Sequence, residues 1–417
     1  MSAAGAAPSW GPQVACGSCL LSAVIDLPGY AVIVLVSSAS VWTAVSLCWP
    51  TDVERSPLTR NRRPARGRRP TMLPERLGRI LETALDGQAP SKEECVYLLN
   101  LPSESLEVSV MMAIADAASR RRFGNNAILL GQIGIDTAAC AGNCRFCAFG
   151  KDHTSMQPNL LSLEEIRRRA HAFGDSGDLF ALFLMTMHDF DLERLLGIVG
   201  AVRGELPDHT RIVMNVGDFD AGQARQLKDA GVSGAYHVCR LREGTDTDLD
   251  PETRKKTFRV IKEAGLDFYY CCEPIGPEHS AEELIEQMFL GIEYGCFQHA
   301  AMRRVYVPGV PLSRNGQITE RRLAQVVAVV TLATLNCRET QNIAVHEPNL
   351  LGLAAGANVV YAESGANPRD READTEKNRG LDMAGCRKML YEAGFARLLR
   401  GDGTTVSLDV EYLLEQG

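Results

Sequence analysis

Residues 127–147 read AILLGQIGIDTAACAGNCRFC and join an apolar run to three cysteines. The run at 127–135 has the length and continuous apolarity of a strand that is buried on both faces. Gly142 and Asn143, within the cysteine segment, favour a tight turn. The stretch therefore predicts a buried strand whose carboxyl end carries sulfur chemistry, in the place where α/β proteins hold their reactive groups.

The same alternation of apolar runs and amphipathic segments continues downstream. The further apolar runs predict strands at 179–185, 211–216, 234–238, 266–271, 302–307, 342–345 and 358–361. The amphipathic segments predict helices at 162–173, 192–202, 221–230, 251–264, 280–294, 319–335 and 349–356. Short, regular strand–helix units favour parallel pairing with the helices outside. About eight such units predict an α/β fold of the (β/α)8 TIM-type barrel class.

Composition and pattern divide the chain into five regions. Helical periods at 75–86, 91–100 and 106–121 predict a helical N-terminal extension, in which Ser91 and Glu94 have the spacing of a capping box. We expect the regions to be a leader at 1–71, the helical extension at 72–125, a core barrel at 126–304, a C-terminal part of the barrel at 305–400 and a tail at 401–417.

The 417 residues have an ordinary globular composition, with 45% hydrophobic and 23% charged residues, which excludes wholesale disorder and a coiled coil. A net charge of −8 argues against broad nucleic-acid binding. The thirteen cysteines are odd in number and scattered, which argues against a secreted disulfide framework. We expect reduced thiols in a cytoplasmic protein, with a subset of them binding metal.

The leader differs in character from the rest of the chain. Residues 29–49 carry no charge and are long enough to span a bilayer, and seven arginines follow at 55–69. One interpretation is an N-terminal membrane anchor within 29–49 with a basic cytoplasmic flank. The other is a disordered leader, or one translated from a start too far upstream, with Met72 opening the folded protein. A cleaved signal is a third interpretation, although no basic segment precedes the apolar run.

Cys140, Cys144 and Cys147 have the spacing C-x3-C-x2-C directly after the first predicted strand. A tight loop can turn three thiolates towards one point, and soft thiolates select an iron–sulfur cluster or zinc. A structural zinc site needs a fourth protein ligand, which His153 could supply. A cubane with three cysteine ligands leaves one iron free to chelate the amino and carboxylate groups of S-adenosylmethionine. Cluster, zinc and unliganded cysteines all stay open at this point.

Residues 75–400 resemble the radical S-adenosylmethionine (radical SAM) superfamily, through the cysteine motif and its place after strand one. Within that superfamily the chain is similar to the biotin synthase-like group, which includes the hydrogenase maturase and methylornithine synthase. The resemblance implies a [4Fe–4S] cluster on Cys140, Cys144 and Cys147, with S-adenosylmethionine at its open iron. It also implies a small-molecule substrate, a reduced flavodoxin or ferredoxin as electron donor and no nucleic-acid partner, and it allows a homodimer.

The resemblance assigns four further residues to the cofactor. Phe146 matches an aromatic residue whose backbone lies near the adenine. Glu243 matches an acidic residue on the ribose or methionine part, and Arg254 matches an arginine that pairs with the cofactor carboxylate. Glu278 matches a Gly-x-x-Glu-like element after strand five. From the residues alone, each charged side chain could also be a cap, a turn residue or a solvated helix charge.

The chain departs from biotin synthase where that enzyme holds a second cluster for sulfur insertion. The second and third predicted strands carry no cysteine, and residues 343–348 (IAVHEP) lack the expected arginine. Cys239, Cys271 and Cys272 lie at strand ends and could hold a differently placed auxiliary cluster, although free buried cysteine is also a common core residue.

Further polar residues at strand ends are candidate substrate anchors or proton donors. They are His188, Asp189, Asp218, His237 and His346. We expect a radical SAM enzyme that carries out a rearrangement, lyase or related reaction on a small metabolite. The alternatives are a biotin synthase-like sulfurtransferase with an auxiliary cluster, and a structural zinc or iron–sulfur electron-carrier protein.

Overall fold

The computed structural model of the protein describes residues 20–27, 30–37, 40–44 and 73–416. The chain falls into two units, Met1–Arg69 and Pro70–Gly417. In the first unit three strands, Leu20–Leu27, Tyr30–Ser37 and Ser40–Ala44, form an antiparallel sheet in that order.

The rest of the predicted leader at 1–71 lies outside the described residues. This holds for the arginine run at 55–69 and for the part of 29–49 that does not fall in the strands. Among the residues that are described, no helix combines the length and the apolarity that crossing a membrane requires.

The second unit is built on eight parallel strands. In chain order they are β1 Asn126–Gly134, β2 Ala181–Met185, β3 Arg211–Asn215, β4 Gly234–Tyr236, β5 Asp267–Ile275, β6 Gln298–Arg303, β7 Asn342–His346 and β8 Val359–Gly365. Each strand pairs with the next, and β8 pairs with β1 from Val359↔Ile128 to Gly365↔Gly134. The sheet is closed on itself, which confirms the predicted (β/α)8 barrel.

Helices cover the outside of the barrel and its N-terminal end. In chain order they are α1 Glu75–Leu85, α2 Lys92–Leu99, α3 Leu106–Phe123, α4 Leu163–Gly174, α5 Leu192–Arg203, α6 Ala221–Asp229, α7 Pro251–Glu263, α8 Ala281–Glu293, α9 Glu320–Ala333, α10 Leu350–Leu353, α11 Met383–Glu392 and α12 Val410–Glu415. Short 3-10 helices lie at Pro311–Asn315 and Thr375–Lys377. Two small hairpins pair Asp136–Thr137 with Asn159–Leu160 and Arg397–Leu399 with Thr405–Ser407.

The extension α1–α3 packs on the barrel through α8 and α9 and shares its hydrophobic core. The predicted capping box is confirmed, because the Ser91 hydroxyl accepts the Glu94 N–H and the Glu94 carboxylate accepts the Ser91 N–H. Gln325 of α9 is fully buried, and its amide donates to Leu98 O at 2.9 Å and Leu101 O at 3.0 Å. These bonds satisfy carbonyl groups at the end of α2, so the seam between extension and barrel is fixed in position.

The sixth strand differs from the sequence prediction, which placed it at 302–307. The observed β6 begins at Gln298, because two polar side chains in its first half are buried with partners. Gln298 Nε2 donates to the Tyr361 hydroxyl at 2.5 Å, and His299 Nε2 lies 3.0 Å from Met288 O. A search for apolar runs passes over such satisfied polar residues. The prediction also omitted α11 and α12, which lie beyond the last predicted strand.

Candidate functional site

A cavity opens at the carboxyl ends of the barrel strands, and every strand contributes to its wall. It encloses about 1130 Å³ of space free of protein atoms, the open mouth included. The strand residues that line it are Gln132, Phe183, Met185, Asn215, Tyr236, Glu273, Pro274, Met302, Arg303, His346, Tyr361 and Glu363. The cavity therefore lies where a barrel places its chemistry.

The cysteine loop, residues 138–158, follows β1 between the two short strands of the first hairpin. It makes two tight turns, in which the Asn143 N–H donates to Cys140 O at 3.1 Å and the Cys147 N–H donates to Cys144 O at 3.0 Å. Asn143 has φ 46°, in the left-handed region that asparagine tolerates. The turns place Cys140, Cys144 and Cys147 on the cavity wall.

The chemistry of the three thiols fits a bound metal cluster. All three are free, and burial raises the pKa of Cys144 to about 11 against the lowering effect of the nearby Arg240 charge. Burial also raises the pKa of Cys147, whose sulfur accepts the Phe149 N–H at 3.4 Å. A metal would take the place of the thiol proton, and N–H bonds to sulfur stabilise and tune a metal-bound thiolate.

The three thiols line the same cavity wall. Across the described residues, no three His, Cys, Asp or Glu side chains come together closely enough to hold a single metal ion. His153, the candidate fourth zinc ligand, has its Nε2 2.8 Å from Cys147 O. A cubane suits separated sulfurs because each cysteine binds a different iron. A single zinc ion needs all its ligands around one centre.

Polar contacts tie the cysteine loop to the loop between β4 and α7. The Asn143 amide donates to Asp152 Oδ2 at 2.7 Å and to Asp248 Oδ2 at 3.0 Å. Lys151 Nζ lies 3.1 Å from the same Asp248 oxygen. The Arg145 N–H donates across to Asp246 O at 2.9 Å. The thiols are therefore held against a second loop, which carries the charged residues described next.

Phe146 and Arg254 line the cavity together with the cysteines. Arg254 lies in the first turn of α7 with a side chain that is 3% exposed. Its Nε donates to Val238 O at 3.0 Å, and its Nη1 lies 3.1 Å from Asp218 Oδ2. Of the three charged residues that the resemblance assigns to the cofactor, the structure thus brings Arg254 to the wall that carries the thiols. Val238 O and Asp218 hold its guanidinium in place.

Glu243 and Glu278, the other two charged residues that the resemblance assigns to the cofactor, do not line the cavity. The Glu243 carboxylate is buried and accepts the Arg240 N–H at 2.6 Å and the Thr247 hydroxyl at 2.7 Å. Glu278 binds the guanidinium of Arg304 through both oxygens, at 2.5 and 2.8 Å. Each glutamate therefore lies behind an arginine that does line the cavity.

Asp218 is the centre of a buried polar network behind Arg254. Its Oδ1 accepts from His237 Nε2 at 2.9 Å and from the Thr257 hydroxyl at 2.7 Å, while His188 Nε2 lies 3.9 Å from Oδ2. Burial lowers the pKa of His237 to about 3, so the ring is neutral. Burial would raise the pKa of Asp218, but the His237 bond and the Arg254 charge hold it well below its usual value.

Among the other candidate anchors, His188 and His346 line the cavity, whereas Asp189, Asp218 and His237 do not. His346 lies over the Tyr361 ring with centroids 4.3 Å apart, and burial lowers its pKa well below its usual value. Both rings belong to the floor of the cavity.

The three cysteines suggested for an auxiliary cluster lie away from the cavity wall. Cys239, Cys271 and Cys272 are buried in the core, and burial raises the pKa of each thiol. Cys272 Sγ lies 3.9 Å from Leu284 O, on the helix side of β5. In this arrangement they pack as small apolar residues.

Sequence reasoning missed eight charged or phenolic residues that line the cavity: Tyr236, Arg240, Glu273, Arg303, Arg304, Tyr361, Glu363 and Arg369. The Tyr236 hydroxyl donates to Glu273 Oε2 at 2.6 Å, and Arg369 Nη2 donates to Glu363 Oε1 at 2.6 Å. Glu273 follows Cys272 directly, so a charge at the end of an apolar strand was an available signal. The strand pairings that bring these residues together were not readable from the sequence.

Comparisons with known proteins show which family this chain resembles. Residues 135–271 match the family model of the Radical SAM superfamily. Biotin synthase of Anaplasma marginale (strain Florida) is 26% identical over 286 residues, which cover 64% of this chain and 85% of that protein. Biotin synthase of a Nocardioides species is 25% identical over 313 residues, which cover 72% of this chain and 80% of that protein.

Two solved structures share the fold. Methylornithine synthase superposes with a TM-score of 0.62 at 18% identity, covering 76% of this chain and 96% of its own. The FeFe-hydrogenase maturase HydG from Carboxydothermus hydrogenoformans superposes with a TM-score of 0.62 at 17% identity. The match covers 79% of this chain and 80% of the maturase chain. At these identities the likeness concerns the fold alone.

Proposed function

Since this chain is a radical SAM enzyme related to biotin synthases, we propose that Cys140, Cys144 and Cys147 hold one [4Fe–4S] cluster and that the cavity binds S-adenosylmethionine. The observation that carries the proposal is the presence of these three free thiols and Arg254 on one cavity wall. When bound, such a cluster and S-adenosylmethionine supply a 5′-deoxyadenosyl radical that abstracts hydrogen from a substrate carbon.

The residues of this chain bind the metal and the cofactor, orient the cofactor and shield the reacting carbon from water. The thiols give up their protons to the metal, and the Arg254 guanidinium takes the cofactor carboxylate in a fixed direction. Phe146 is assigned to the adenine by the resemblance. The apolar floor of Phe183, Met185 and Tyr361 excludes water from the reacting carbon. We propose that a reduced flavodoxin or ferredoxin supplies the electrons. The free thiols of the described residues fit a reducing cytoplasm.

We propose a small polar metabolite as substrate and a rearrangement, lyase or related reaction. The lining of the cavity supports this choice, because its only cysteines among the described residues are the three cluster ligands. Gln132, Asn215 and Glu273 offer hydrogen bonds to a polar substrate instead of a sulfur source.

Sulfur insertion is the second candidate, and the biotin synthases among the relatives favour it. It requires a sulfur source beside the cluster of the cysteine loop. Anaerobic reconstitution separates the two candidates through the iron content. About four irons per chain supports a single cluster, whereas about six or eight supports an auxiliary cluster and sulfur insertion.

The cluster assignment is tested by Cys144→Ala, with Cys239→Ala as a matched control. Cys239 is also a buried thiol, but it lies off the cavity wall. We expect Cys144→Ala to lose the visible absorption of the cluster and all reductive cleavage of S-adenosylmethionine, and Cys239→Ala to keep both. Iron analysis and chromatographic detection of 5′-deoxyadenosine measure the outcome. Retained cleavage in Cys144→Ala contradicts the assignment.

A further inference from the structure

Asp248, in the loop between β4 and α7, holds the turn of the cysteine loop that precedes Cys144. Its Oδ2 accepts from Asn143 Nδ2 at 3.0 Å and lies 3.1 Å from Lys151 Nζ. Its backbone N–H donates to Gly142 O at 2.9 Å. One residue outside the cysteine loop therefore fixes this turn through both its backbone and its side chain.

Arg145 fixes the chain on the other side of Cys144 to the same loop. Its N–H donates to Asp246 O at 2.9 Å, and its Nη1 donates to Thr245 O at 2.5 Å. The segment that carries the Cys144 thiol is thus held at both ends by the loop between β4 and α7.

The last cysteine of the motif is held by a different part of the barrel. The Ala148 N–H, next to Cys147, donates to Pro368 O at 2.8 Å in the segment that follows β8. The relative position of the thiols therefore depends on two separate loops. That position matters for a cubane, because each cysteine binds a different iron.

Of the two side-chain contacts of Asp248, the bond from Asn143 matters more than the pair with Lys151. Asn143 is 5% exposed, and its amide also donates to Asp152 Oδ2 at 2.7 Å. Without Asp248, one buried amide hydrogen would lose its acceptor, which is costly. The Lys151 side chain is 45% exposed, and an exposed ion pair contributes little. The oxygen at Asp248 is therefore needed more as an acceptor than as a charge.

The loop that carries Asp248 leads directly to the wall assigned to the cofactor. Leu249 lines the cavity, and Asp250 caps α7 by accepting the Thr253 N–H at 3.0 Å. Arg254 follows in the first turn of that helix. Asp248 therefore lies between the segment that holds Cys144 and the helix that presents Arg254.

We propose that Asp248 is a positioning residue for the cluster, which keeps the turn before Cys144 in the shape that binds iron and so slows the loss of iron. The inference rests on the proposed function and adds to it a residue that does not line the cavity. A ligand loop that is held in its bound shape loses less conformational freedom on binding, and groups that orient metal ligands strengthen the metal site.

The test measures the release of iron from the anaerobically reconstituted protein to an excess of a ferrous iron chelator, together with the loss of the visible absorption. We expect Asp248→Ala to release iron about tenfold faster than the parent, because the buried Asn143 amide loses its acceptor. Asp248→Asn keeps an acceptor oxygen and should stay within about twofold of the parental rate. The melting temperatures of the cluster-free proteins should agree, which separates positioning from a loss of fold.

Asp246→Ala is the matched control, because Asp246 lies in the same loop but contacts the cysteine loop through its backbone oxygen. Lys151→Met tests the exposed ion pair, and both variants should stay within about twofold of the parental rate. If Asp248→Ala does not fold, Asp248→Leu takes its place, since it fills the space of the carboxylate without an acceptor. Parental iron release in that variant overturns the inference.

Three other results overturn the positioning role. They are a parental rate in Asp248→Ala, an equal acceleration in Asp246→Ala, and an Asp248→Asn rate as fast as that of Asp248→Ala. Cys144→Ala keeps this inference apart from the proposed function. A cluster that loads in Cys144→Ala contradicts the proposed function, whereas a parental rate in Asp248→Ala leaves that function standing.

Discussion

Asn143 shows how one residue serves both the turn and the position of the cysteine loop. Its left-handed φ lets the chain reverse between Cys140 and Cys144, and its side-chain oxygen accepts the Asp152 N–H at 3.2 Å. Its amide reaches Asp152 and Asp248 in two different loops. The sequence predicts the turn from residue type, but the link to Asp248 spans more than a hundred positions and depends on the fold.

Glu278 and Arg304 form the clearest ion pair behind the cavity wall. Arg304 is 2% exposed in its side chain, and both of its terminal nitrogens bind the Glu278 carboxylate. Burial acts to raise the pKa of Glu278, but the Arg304 bonds outweigh it and lower the pKa to about 2. The carboxylate therefore stabilises the fold when it is ionised.

We expect Glu278→Gln to lower the free energy of unfolding by about 3 kcal/mol at pH 7, because it leaves a buried guanidinium without its partner. A depressed folded-state pKa contributes stability above the unfolded value of about 4.5 that is lost as pH falls towards 2. The difference between parent and variant should therefore narrow below about pH 5. Urea unfolding at pH 7, 5 and 4 measures it, and a difference that does not depend on pH would speak against the ion pair.

At the scale of elements, the boundary of β6 is set by its neighbours. Its first residues are polar, yet Gln298 and His299 are fully buried because Tyr361 on β8 and Met288 on α8 provide partners. The register Gln298↔Asn342 to Met302↔His346 then places His346 at the level of the cavity. The hydrophobic pattern alone therefore places the start of β6 four residues after its observed start at Gln298.

The closure of the barrel depends on a close approach at the end of β1. A Cβ on Gly134 would lie 1.9 Å from Ala366 O, in the segment that follows β8. Since a carbonyl oxygen of the backbone cannot give way as a flexible side chain can, only glycine allows the two ends to meet there.

We expect Gly134→Ala to lower the free energy of unfolding by more than about 3 kcal/mol. Gly200→Ala is the control, since a Cβ in this exposed position of α5 meets no atom within 4 Å. It should raise stability by roughly 0.5–1 kcal/mol through helix propensity. Chemical denaturation of both variants gives the comparison, and a parental midpoint for Gly134→Ala would contradict the contact between β1 and the segment after β8.

At the scale of the whole molecule, one unit carries every residue of the candidate site. The cysteine loop, the arginines and all eight barrel strands lie within Pro70–Gly417. The helical extension belongs to the same hydrophobic core, through residues such as Leu77, Leu98 and Met111. The proposed cluster and cofactor site therefore depends on the extension and the barrel as one folded body.

We expect a chain that starts at Met72 to retain the iron content, cofactor affinity and melting temperature of the full chain, because every residue of the candidate site lies in Pro70–Gly417. Parallel reconstitution and calorimetry of the two chains test this. A truncated chain that folds but does not load iron would show that residues 1–71 contribute to the site.

The sequence by itself determined the barrel, because continuous apolar runs and amphipathic segments alternate in the local periods of buried strands and outer helices. It also determined the place of the three cysteines after β1 and the family to which their spacing points. These features depend on neighbours in the chain, which the sequence displays directly.

Only the tertiary structure decided which charged residues share the cavity. Arg240, Arg254 and Glu273 come together because β4, β5 and α7 meet at one end of the barrel, while Glu243 and Glu278 fall behind that wall. Their positions depend on strand register, loop path and burial, which are set by contacts between distant parts of the chain. Hydrogen-bond satisfaction in the interior then decides which donors remain free for a ligand.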